Sequence, residues 1–61
     1  MRTISDLIGG LKARQAEISF ALAAGNAASW EAYQRMVGEY LGLKKALEII
    51  DDLMREDDED E

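Results

Sequence analysis

The 61-residue chain has no Cys, no His and no Pro. Without Cys there is neither a disulfide nor a thiolate ligand, and without His there is no ordinary zinc site. The same two absences remove every imidazole-based nucleophile–base pair, whether built on Ser or on Cys. Long apolar runs are missing too: no segment reaches the ~18 consecutive apolar residues of a membrane span. The first six residues, Met1 to Asp6, lack the apolar core and small-residue cleavage site of a secretory signal, so the chain reads as cytosolic.

What is present fits one small domain. Hydrophobic residues make up 48% and charged residues 33%, a globular balance in 6.8 kDa. A chain this short buries only about 60% of the surface its unfolded form exposes, so it folds close to the stability limit. The net charge of −6 is uneven. Residues 51–61 carry eight acids and one Arg, a sum of −7, and residues 1–50 carry five acids and six bases, a sum of +1. A body so nearly neutral lacks the clustered Lys and Arg that phosphate backbones require, which argues against direct nucleic-acid binding. Residues 56–61 read as a solvated acidic tail, with a docking tail for a basic surface as the sharper alternative.

The interior composition is helical: Ala, Leu, Glu, Lys, Arg, Gln and Met dominate, all strong helix formers. Thr3 with Asp6 three residues on forms a capping-box-like start. Ile4, Leu7, Ile8, Leu11, Ile18 and Leu22 then repeat near the helical period, predicting a helix over 4–24. Gly9-Gly10 lies inside it, each Gly costing the helix ~1 kcal/mol relative to Ala. The pair either lets a neighbouring backbone approach closely or delays the true helix start to about Leu11. Gly25 and Asn26 tolerate the left-handed conformation that ends helices, and Ser29 offers the next N-cap, so residues 25–29 predict a turn. So short a link makes successive helices antiparallel neighbours.

The second predicted helix, 30–55, carries the strongest pattern. Met36, Tyr40, Leu43, Leu47, Ile50 and Met54 step by 4, 3, 4, 3, 4, a seam of almost three heptads. A second apolar line runs beside it through Trp30, Tyr33, Val37, Leu41, Ile49 and Leu53. One partner helix covers only one stripe, so apolar surface left over marks an oligomeric or partner interface. The expected interface is therefore the seam together with Val37, Leu41 and Leu53. Gly38 and Gly42, four apart, predict a close helix contact. Trp30, with Tyr33 and Tyr40, has two readings, closing the core over the turn, which is the expectation, or anchoring a protein–protein contact.

Sites for chemistry are sparse. Asp6, Glu17, Glu31 and Glu39 have no second acid at i,i+3 or i,i+4; Glu48 has Asp51 and Asp52 there, at the start of the acidic end. A catalytic carboxylate also needs a sheltered pocket, and two helices have nowhere to build one. The acidic end lacks the Gly-turned ligand spacing of a calcium loop, and the glycines match neither dinucleotide nor P-loop spacing. The reading is of no catalytic residue, no metal, no cofactor and no small-molecule substrate.

Glu31-Ala32-Tyr33-Gln34-Arg35-Met36-Val37-Gly38-Glu39-Tyr40-Leu41-Gly42-Leu43-Lys44-Lys45-Ala46-Leu47 resembles small acidic proteins encoded near the head and tail genes of tailed bacteriophages. Leu11-Lys12-Ala13-Arg14-Gln15-Ala16-Glu17-Ile18 and Ala23-Ala24-Gly25-Asn26 are similar too, so the likeness spans most of residues 5–55. The resemblance implies a virion-associated or accessory protein in the host cytoplasm or the virion, acting by self-assembly and by binding a larger structural protein. It implies no catalytic residues. The expectation is an all-α antiparallel hairpin, assembled into a helical-bundle oligomer or docked on a larger protein. A small inhibitor of a host enzyme, using the acidic tail as a charge mimic, is the alternative.

Overall fold

A computed structural model describes residues 2–59, with side chains described through Arg55. Its first helix begins where Thr3 caps it. The Thr3 hydroxyl accepts from the Asp6 backbone N–H at 3.2 Å, and the Asp6 carboxylate accepts from the Thr3 N–H at 3.0 Å. This reciprocal box satisfies two of the donors that any helix start leaves open. From it α1 runs unbroken over Ile4–Ala23. Gly9-Gly10 therefore does not delay the helix to Leu11, because the cap upstream and the seam residues Ile8 and Leu11 hold both sides of the pair. Nor does the pair meet a neighbour: a Cβ at either position would touch nothing within 4 Å.

α1 ends on a Schellman turn. Gly25 adopts φ +77°, its N–H donates to Leu22 O at 3.1 Å, and the Asn26 N–H donates to Ala21 O at 3.0 Å. A left-handed residue is required there, and Gly reaches it without a Cβ clash. Ser29 starts α2, Trp30–Glu59, by accepting from the Ala32 N–H at 3.0 Å through its hydroxyl. The helix continues four residues past the expected end at Arg55 into the acidic run. Arg55, ion-paired with Asp51 and Asp52 one turn back, offsets charge there. Residues 60–61, and the side chains of the tail 56–61 as a whole, lie outside the described residues.

The two helices pack as an all-α hairpin with extents of 49 × 23 × 15 Å. α2 has 30 residues against the 20 of α1, so its distal end projects beyond the first helix. The radius of gyration is 14.6 Å, against about 10.5 Å for a compact domain of this length. Among the described residues, the only fully buried hydrophobic side chain is Ile18, 3% exposed. Gly25→Ala should remove about 1 kcal/mol by forcing a Cβ into the left-handed region. Thermal unfolding followed by circular dichroism checks it, the expected drop in midpoint being about 4–8 °C.

Candidate interaction surface

On α2, Met36, Tyr40, Leu43, Leu47 and Ile50 are half-buried, as are Ile8, Leu11, Gln15 and Leu22 on α1. With Ile18, the α1 set steps by 3, 4, 3, 4 and mirrors the α2 seam. Among the described residues α1 is the only other element, so the seam expected to face an outside partner is spent mainly on closing the hairpin. Met54, at its far end, is exposed. Gln15 had no place in the apolar pattern, yet its spacing from Leu11 and Ile18 marks it as a seam position.

The remaining predicted interface residues divide. Val37 is half-buried, whereas Leu41 and Leu53 are exposed together with Ile4, Leu7, Phe20 and Ile49. Trp30 and Tyr33 do not close the core. Trp30 is 68% exposed and stacks on Tyr33 with ring centroids 5.4 Å apart. Trp30 lies seven residues before Val37 and fourteen before Lys44, which puts it on the flank of α2 rather than on its inner seam. Gly38 and Gly42 make no close contact with α1 either. Both are exposed, and a Cβ on either would meet nothing within 4 Å. Each follows a seam residue by two positions, about 200° around the helix, and so faces away from α1.

Among the described residues one polar interaction ties the helices together, and the sequence pattern did not reveal it. Arg14 Nε and Nη2 donate to Glu39 Oε2 and Oε1 at 2.7 and 3.1 Å, and Arg14 Nη1 donates to Glu17 Oε1 at 3.3 Å. A bidentate fork of this kind fixes geometry as well as charge. Its hydrogen bonds raise the Arg14 pKa further above its ordinary value and hold the Glu39 carboxyl below its ordinary 4.5. Only the antiparallel register, with residues 25 apart brought level, would have pointed to it.

The open end of the hairpin carries an open groove of about 360 Å³ lined by Ile8, Lys12, Leu47, Ile50, Asp51 and Met54. Among the described residues no group of three or more acids, His or Cys gathers at metal-binding distance. No described helix is long and apolar enough to cross a membrane. The total accessible area is 4,996 Å², against about 3,950 Å² for a compact protein of this mass. What the arrangement offers is contact area. No protein-family model, curated protein or solved structure matches this chain.

Two consequences follow for stability. A carboxyl held below its ordinary value contributes stability above that value and loses it as the pH falls through the folded one. Stability should therefore decline below pH 4.5 in the native chain, and Glu39→Gln should flatten that part of the profile when unfolding midpoints are compared across pH. Leu47→Asp, placing a carboxylate in the seam, should abolish most helical signal.

Proposed function

We propose that this chain is a non-enzymatic assembly module of the phage accessory type, working by helix–helix contact with copies of itself or with a larger structural protein. The observation that carries the reading is the imbalance of its apolar surface. Among the described residues Ile18 alone is fully buried, while Ile4, Leu7, Phe20, Trp30, Tyr33, Leu41, Ile49, Leu53 and Met54 are exposed. Large apolar side chains exposed in such number, on a body of near-neutral charge, are the mark of a surface that another helix covers. The likeness of residues 31–47 to small phage head- and tail-region proteins supports the setting, the host cytoplasm or the virion.

The rival is an inhibitor of a host enzyme that presents residues 56–61 as a charge mimic, and the local charge of −7 over residues 51–61 favours it. The two readings depend on different parts of the chain. Sedimentation equilibrium should give a mass above the 6.8 kDa of one chain, unchanged when residues 56–61 are deleted. A full chain that is monomeric and binds a basic partner only through those residues would favour the rival.

A further inference from the structure

The hairpin has two sides, and they differ in chemistry. On α1, Leu7, Arg14 and Ala21 are seven apart, and on α2 so are Ala32, Glu39, Ala46 and Leu53. Residues seven apart fall on one line along a helix. Because Arg14 bonds Glu39 across the helices, both lines border the same side. The corresponding lines on the other side are Ser5, Lys12 and Ser19 on α1, and Trp30, Val37, Lys44 and Asp51 on α2. The first side is thus small and apolar around one self-neutralised ion pair, whereas the second bears Lys12 and Lys44, neither ion-paired among the described residues, and Asp51, which pairs with Arg55.

We propose that a second copy of this chain covers the first side, related by a two-fold axis parallel to the helices, so that the pair forms a four-helix bundle. The proposal rests on the reading of the chain as a helix–helix interaction module and names its partner and its face. Area is the first argument. The chain exposes 4,996 Å², about 1,000 Å² more than a compact protein of its mass. A standard interface covers about 800 Å² on each partner.

Charge complementarity is the second. Arg14 lies level with Glu39, so in this antiparallel pair residues whose numbers sum to about 53 share a level. The two-fold sets α1 of one copy beside α2 of the other, antiparallel and at the same levels. Arg14 then faces Glu39 of the second copy, completing a ring of two cations and two anions. Glu17 falls level with Arg35 of the second copy, and Arg35 makes no ion pair within its own hairpin among the described residues. Gly10 falls level with Gly42 of the second copy, where the missing side chains let the backbones approach. Leu7 falls on Ala46. Every neighbouring pair of helices is antiparallel, and the two acidic tails lie on a diagonal of the bundle.

The glycines provide the test, because within the hairpin a Cβ at Gly9, Gly10 or Gly42 would meet nothing within 4 Å. Gly42→Gln and Gly10→Gln should each leave helical signal equal or higher, since Gln is the better helix former. Each should nevertheless raise the dimer dissociation constant at least about tenfold in sedimentation equilibrium. Gly9→Gln, on the far side, should change it less than about threefold. Spin labels on Asn26→Cys, at the turn, should lie within about 25 Å of each other, because both turns sit at one end of the bundle.

Dimers that tolerate Gly42→Gln and Gly10→Gln, or label separations beyond about 35 Å from turns at opposite ends, would overturn this face and symmetry while leaving the module reading intact. A chain that stays monomeric but binds another helical protein would do the same. A folded monomer with no companion would overturn both.

Discussion

A helix can be covered along only one stripe by a single neighbour, and this limit governs everything else in the hairpin. α2 bears apolar residues over more than one stripe. α1 takes the Met36–Ile50 stripe and part of Val37 beside it, leaving Trp30, Leu41, Ile49 and Leu53 in water. In a larger domain a third helix would close over them. Among the described residues there is no third helix, and the molecule buries about half of its unfolded surface instead of the about 60% usual at this size.

Local signals in the sequence translate well into local structure. The Thr3–Asp6 box, Gly25 as the left-handed stop and Ser29 as the second cap each act within one turn of chain, and each is found where the residue types place it. The heptad spacing likewise locates the α2 seam. What the pattern could not reveal is which apolar stripe the first helix occupies. Two stripes compete for one neighbour, and the choice is made by the whole register of α1 against α2. For that reason a seam expected to face outward faces α1, and Trp30, expected to face inward, does not.

The glycines show the same limit from another direction. Gly38 and Gly42 read as a groove for a neighbouring helix, yet no neighbour within the chain fills it. Their spacing is informative about a surface without saying whose surface meets it. The Arg14–Glu39 fork is the opposite case, silent in the local pattern because its partners are 25 residues apart. It pins the register between the helices with geometry that Lys, a flexible point charge, would not reproduce. Fixing that register also arranges the charges and small residues of one side into the order that a second hairpin can match.

The central claim is that this hairpin is not a self-sufficient fold. Its direct measure is the thermal midpoint of the full chain, followed by circular dichroism over a hundredfold range of concentration. A fold completed by association gains stability by mass action, so the midpoint should climb steadily as the chain is concentrated. A sharp transition at one temperature across the whole range would show that two helices suffice, and would contradict the account.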